Sequence, residues 1–117
     1  MIEGLGIEIV EVERFNSALQ RWGPSFYRRL FTAEELRYCL SKRSPAPHLA
    51  ARFAAKIGFF KAAGRRIPFC GISVVRDKRG RPAITLRGAA GATVRSSLTI
   101  SHTRETAMAV VLVEKES

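Results

Sequence analysis

The sequence predicts an α+β fold, and three observations carry that expectation. A β-branched stretch with glycines at its entry opens the chain, a block of helical segments fills the middle, and after Pro68 the pattern turns to short apolar runs punctuated by turn residues. Strand, several helices, then a run of strands fits helices packed on a mainly antiparallel sheet, in a single domain spanning residues 1–117.

Gly4 to Val12 reads as the first strand, with Glu8 in the middle of its apolar run. Residues 13–21 have helical composition and stop at Gly23-Pro24, and Ser25 to Leu30 suits a further helical turn. Thr32 followed by Glu35 three positions on is a capping box, which starts a helix running to about Lys42. Ser44-Pro45-Ala46-Pro47 breaks the chain. His48 to Ala63 then forms the longest helix, closed by Gly64.

Gly71 to Arg76 and Pro82 to Leu86 flank the basic turn Asp77 to Arg81 and read as a hairpin. Residues 87–95 are small and suit a short helix. Leu98 to His102 and Ala107 to Val113, joined by a loop at Thr103-Arg104-Glu105, complete the sheet.

Composition narrows the function classes. With 117 residues and 46% hydrophobic content, the chain can build one core but hardly two. Twenty Lys and Arg against ten Asp and Glu give a net charge of +10. Such a charge implies an acidic partner: nucleic acid, an anionic membrane, an acidic protein or a phosphorylated small molecule. Cys39 and Cys70 lack ligand spacing, so a disulfide or zinc site is not expected. Glu3 and Glu8 interrupt the apolar N-terminus, and nothing approaches the roughly 20 apolar residues of a membrane span, so a cytoplasmic protein without a membrane partner is expected. A small nucleic-acid module would also explain the charge, but no stacking-aromatic strand or helix-turn-helix pattern supports it, and none is expected as partner.

The segment Arg52 to Ala62 is the most informative. Arg52 with Lys56, and Ile57 with Lys61, fall at four-residue spacing and read as a cationic ridge beside an aromatic face, suited to a phosphate-bearing ligand. Plainer readings stand beside these. The lysines and arginines suit a solvated helix face, Glu8 a solvated strand face, Ile57 a core position, and His102 a strand end. His48 has no such context and reads as surface.

Four stretches in order, Ile2 to Arg14, Phe31-Thr32 to Glu35, Arg52 to Gly64, and Ile100-Ser101-His102-Thr103 with the strand after it, make the chain resemble the holo-acyl-carrier-protein synthases, the short 4′-phosphopantetheinyl transferases. Gly80-Arg81-Pro82 fits the same family's glycine-basic-proline turn. The resemblance implies the 4′-phosphopantetheinyl transferase fold and a homotrimer with sites between subunits. It implies transfer of the 4′-phosphopantetheine arm from coenzyme A to a serine of an acyl carrier protein in fatty acid biosynthesis, releasing adenosine 3′,5′-bisphosphate.

By the same resemblance, Glu8, Lys61 and His102 are catalytic, and Arg52, Lys61, Gly80, Pro82, Ser101, His102 and Thr103 bind the coenzyme. Arg14 and Arg21 dock the carrier protein, and Mg2+ is the cofactor, held by Glu8. Two departures are plain: Glu8 stands where the family has aspartate, and Ile57 where it has a glutamate ligand. The alternative is therefore a weakened or inactive relative that binds coenzyme A or carrier protein without transferring the arm.

Overall fold

A computed structural model describes residues 1–86 and 94–115. The order is β1 (Ile2–Glu11), α1 (Val12–Trp22), α2 (Pro24–Leu30), α3 (Ala33–Leu40), α4 (Pro45–Ala63), a short turn of helix at Phe69–Gly71, β2 (Ile72–Arg76), β3 (Pro82–Leu86), β4 (Val94–His102) and β5 (Thr106–Lys115). The α+β expectation holds. The strands divide, however, into an antiparallel sheet in the order β1-β5-β4 and a separate hairpin β2-β3, where the sequence suggested one sheet. Side-chain packing, with Ile72, Ile84 and Leu98 in one apolar cluster beneath α4, joins the two without a hydrogen-bonded ladder.

Local chemistry explains most boundaries. Val12 leaves the first strand and opens α1, its N–H bonded to the Glu105 carbonyl. Thr32 and Glu35 form the expected capping box, the Thr32 hydroxyl accepting from Glu35 N–H and the Glu35 carboxylate from Thr32 N–H. Helix α4 begins three residues before the expected His48, because Pro45 occupies the first turn, where a missing N–H costs nothing. Gly64 ends it in the left-handed region at φ 71°, as expected for a glycine C-cap. The short helix expected over 87–95 falls mostly outside the described residues, while Val94 and Arg95 belong to β4.

Helix α4 lies across the middle of the molecule, and its burial runs nearly all round: Ala50, Ala51, Ala54, Ala55, Phe59 and Ala62 are all enclosed. It rests on β1 main chain to main chain. A Cβ added to Gly6 would sit within the Gly58 carbonyl, and one added to Gly4 within that of Ala62. Among the described residues no helix is long and apolar enough to cross a membrane.

The opposite face of the three-stranded sheet has no cover among the described residues. Leu5, Ile7 and Ile9 are 65%, 52% and 57% exposed. They lie directly opposite Leu112, Val110 and Met108 of β5 and share their face.

Candidate active site

The glycine-lined contact between β1 and α4 places two of the expected catalytic side chains together. On β1, Glu8 shares the helix-facing side with Gly4, Gly6 and Val10. Lys61, in the last turn of α4, donates to Glu8 Oε1 at 2.8 Å and to the Ile7 carbonyl at 3.1 Å. The pair is open to solvent, with Glu8 27% and Lys61 53% exposed, so it is available to a ligand and contributes little to stability. Beside it runs a groove of about 450 Å³ lined by Ile57, Phe60, Lys61, Gly64, Arg65 and Arg66.

The rest of the expected ridge is not a ridge. Lys56 is fully buried and donates to Glu35 Oε1 at 2.7 Å and to the carbonyls of Leu30 and Phe69 at 2.7 and 3.0 Å. Burial lowers its pKa, against which Glu35 works. It therefore cannot reach a ligand, and the reading of Lys56 as a phosphate contact is corrected. Its helix neighbours Phe53, Phe59 and Phe60, at positions i−3, i+3 and i+4, were the sequence signal that this face turns inward.

Arg52 is 98% buried by the 2% exposure of its surface, yet its Nε has no partner among the described residues. Its guanidinium stacks 4.4 Å from the centre of the Tyr38 ring. Lys42 and Arg76 approach the same ring at 4.4 and 5.6 Å. Arg76 also donates to the Tyr38 hydroxyl at 3.0 Å and to the Gly80 carbonyl at 2.7 Å. Gly80 adopts φ 79° in the turn, and Pro82 opens β3 opposite Arg76. Burial raises the Tyr38 hydroxyl pKa, but the Arg76 hydrogen bond and the charges of Arg76 and Lys42 outweigh it, leaving the group lowered.

His48 is not a plain surface residue. It is half-buried, and its ring packs 4.8 Å from that of His102 and 6.1 Å from Tyr38. Burial first, then His102 and the cations of Arg52, Lys42 and Arg76, hold its pKa below the usual imidazole value. A second groove of about 540 Å³ is lined by Lys42, Arg43, Ser44, His48, His102, Thr103 and Arg104, among others. This nest of cations, with a buried unpaired guanidinium donor beside it, suits an anion. Tyr38, His48 and Arg76 carry no signal in the sequence because the contacts that gather them, Tyr38 with Arg52 and Arg76 and His48 with His102, join distant parts of the chain.

Ser101 and His102 part company. Strand alternation puts His102 on the helix side with Ile100, whereas Ser101, opposite Met108, lies on the exposed apolar face with Ile9. Within one chain Ser101 does not join His102. Thr103 spends its hydroxyl on the β4–β5 turn, accepting from the N–H groups of Glu105 and Thr106 at 3.2 and 3.1 Å. The register places Glu8 level with Ala109 and Ile100, so His102 stands two strands across and two residues along. That is roughly 12 Å between main chains, from a strand spacing of about 4.8 Å and a rise of about 3.4 Å per residue.

A magnesium site does not fit these residues well. Glu8 already neutralises Lys61, Ile57 offers no oxygen, and among the described residues no three His, Cys, Asp or Glu side chains converge as ligands. Arg14 and Arg21 lie on one exposed side of α1, lining a surface depression with Glu11, Glu13, Ser17, Ala18 and Trp22. Arg14 also meets Glu11 at 3.6 Å.

Comparison with known proteins agrees with this architecture. The sequence model described as the 4′-phosphopantetheinyl transferase superfamily matches residues 4–111. A holo-[acyl-carrier-protein] synthase of Treponema denticola is 46% identical, covering 97% of this chain and 99% of that protein. One from Syntrophus aciditrophicus is 37% identical, covering 97% of each. The crystal structure of holo-[acyl-carrier-protein] synthase from Neisseria meningitidis superimposes with a TM-score of 0.89 at 34% identity, covering 98% of this chain and 100% of that one. The Bacillus anthracis synthase, solved in complex with CoA (3′,5′-ADP), gives 0.85 at 31% identity over 99% of each chain. With its helix-on-sheet core and ordered motifs matched along nearly its whole length, this chain belongs to the 4′-phosphopantetheinyl transferase superfamily.

Proposed function

We propose that the protein is a holo-acyl-carrier-protein synthase, transferring 4′-phosphopantetheine from coenzyme A to a serine of an acyl carrier protein in the cytoplasm, in support of fatty acid synthesis. One observation carries the reading above the others: Lys61 sits against Glu8 at 2.8 Å at the edge of a cationic groove, where a diphosphate can lie. The second cationic nest, some 12 Å away by sheet geometry, receives the nucleotide's remaining phosphate. His102 and Thr103 line it, Arg52 adds its charge from behind, stacked on Tyr38, and Gly80 and Pro82 shape the neighbouring turn through Arg76.

In this reading the carrier serine oxygen attacks the β-phosphorus of coenzyme A. The bond from that phosphorus to the bridging oxygen breaks, and adenosine 3′,5′-bisphosphate leaves. Lys61 offsets the charge that builds on the transferring group. Glu8 receives the serine proton through an intervening water. The family resemblance names magnesium as the cofactor. Of the two positions the resemblance assigns to the metal, only Glu8 carries a carboxylate.

The exposed apolar face of β1 and β5 supports a trimer. A strip of Leu5, Ile7, Ile9, Val110 and Leu112 is costly to leave in water, and packing against neighbouring copies would cover it. Ser101, on that face, then reaches a neighbour's site rather than its own. The acidic surface expected of a carrier protein meets Arg14 and Arg21.

The test is the mass of an apo carrier protein incubated with coenzyme A, magnesium and the enzyme. A gain of one phosphopantetheine arm is expected. Lys61→Met should lower kcat about 10²–10³-fold with circular dichroism unchanged. An unmodified carrier at high enzyme concentration overturns the reading in favour of a binding-only relative.

A further inference from the structure

The groove beside Lys61 is unusual for a place expected to work through a divalent cation. It brings Lys61, Arg65 and Arg66 around Ile57; among the described residues that line it there is no carboxylate, and Glu8 beside it is already paired with Lys61. A metal-bridged diphosphate site needs carboxylates to hold the ion, and those acids repel the phosphates whenever the ion is missing. Here the position between Lys61 and the preceding turn is aliphatic, half-buried, and packed into the apolar cluster with Phe59 and Val111. Repulsion is therefore reduced, while guanidinium groups able to bind phosphate oxygens in a bidentate manner line the same groove.

We propose that Lys61, Arg65 and Arg66 hold the donor's diphosphate directly, so that nucleotide binding in this chain does not require a divalent cation. The proposal rests on the transferase reading above and adds to it how the substrate is held. Ile57 is then a functional residue: it keeps the groove positive by withholding an acid. Arg65 and Arg66 bind substrate, a role that the sequence resemblance did not give them. Direct phosphate contact by arginine also predicts stronger salt sensitivity than a metal-bridged site, since each contact is an open charge pair.

Isothermal titration of the full-length protein with coenzyme A, in excess EDTA and in excess magnesium, tests this. Wild-type affinities are expected to agree within about twofold, because metal contributes nothing to holding the ligand. Arg66→Gln and Arg65→Gln should each weaken binding about tenfold in EDTA, from the loss of a charge-assisted hydrogen bond of about 1.5 kcal/mol, with Arg66→Lys restoring part of it. Ile57→Glu should create the missing dependence: affinity about tenfold lower in EDTA and recovered by magnesium. Wild-type binding that falls tenfold or more in EDTA overturns the proposal while leaving the transferase reading intact. Arginine variants that bind as wild type do the same. Failure to bind coenzyme A in either buffer sinks both.

Discussion

Replacing Glu35 with alanine should remove a large share of the protein's stability. Three bonds end on this carboxylate: Lys56 Nζ at 2.7 Å and Thr32 N–H at 2.8 Å on one oxygen, and Val74 N–H at 2.7 Å on the other. Glu35 and Lys56 side chains are both fully enclosed. Glu35→Ala leaves an ammonium buried with only two carbonyls, and strips two backbone donors of their acceptor. Breaking a buried pair from one side costs about 3–5 kcal/mol, and each of the two stranded donors about 1 kcal/mol, so about 5–7 kcal/mol is expected overall. A chain of 117 residues has roughly 6–18 kcal/mol in total at about 0.05–0.15 kcal/mol per residue. The variant should therefore be marginal, melting about 15–25 °C lower. Urea denaturation followed by circular dichroism measures the loss. Combining Glu35→Leu with Lys56→Met should cost at least about 2 kcal/mol less than the two single changes summed, because neither charge is then left alone. A loss under about 1 kcal/mol for Glu35→Ala, or strict additivity in the cycle, would refute the view that this pair ties α3, α4 and β2 together.

Two further outcomes follow from the surface and the histidines. Arg14→Glu and Arg21→Glu should each raise KM for the carrier protein about tenfold at low salt, leave KM for coenzyme A unchanged, and lose most of that effect at high salt; equal effects on both substrates would place these residues elsewhere in the cycle. His48, whose pKa is lowered in the fold by burial, His102 and the cations of Arg52, Lys42 and Arg76, is neutral in the native state over a wider range than in the unfolded chain. Protons then favour the unfolded state, so relative to His48→Gln the wild type should lose stability as pH falls below the unfolded imidazole value near 6.5, and the difference should be flat above about pH 7.5. Urea midpoints of the two proteins across that range would show it, and a difference constant with pH would contradict the packing of His48 against His102.

What could be read from the sequence was what depends on near neighbours. The Thr32–Glu35 box, the Pro45 and Gly64 ends of α4, and the Asp77 to Arg81 turn are each fixed by residues a few positions apart. The resemblance likewise pointed to Glu8 and Lys61, which the fold brings into contact. The misreadings share a cause. Basic residues are usually solvated, so the sequence points Lys56 outward, whereas α4 is enclosed on nearly every side and its partner Glu35 comes from another helix. Nothing beside His48 in sequence suggests chemistry, because its context is His102, delivered by a distant strand. Ser101 and His102, adjacent in the motif, were read as one unit although a strand sends consecutive side chains to opposite sides.

The seating of α4 on Gly4 and Gly6 has a consequence for how this enzyme can vary. Where a helix stands off from a sheet on side chains, each change of side-chain volume alters the gap between them. Here carbonyl meets strand with nothing in between, so the height of the Lys61 amine above the Glu8 carboxylate is gauged by the backbone itself. Evolution is then free to exchange bulk elsewhere beneath the helix at the expense of thermal resistance alone, while any methyl group placed on either glycine would lift the amine off its mark and be felt first in turnover.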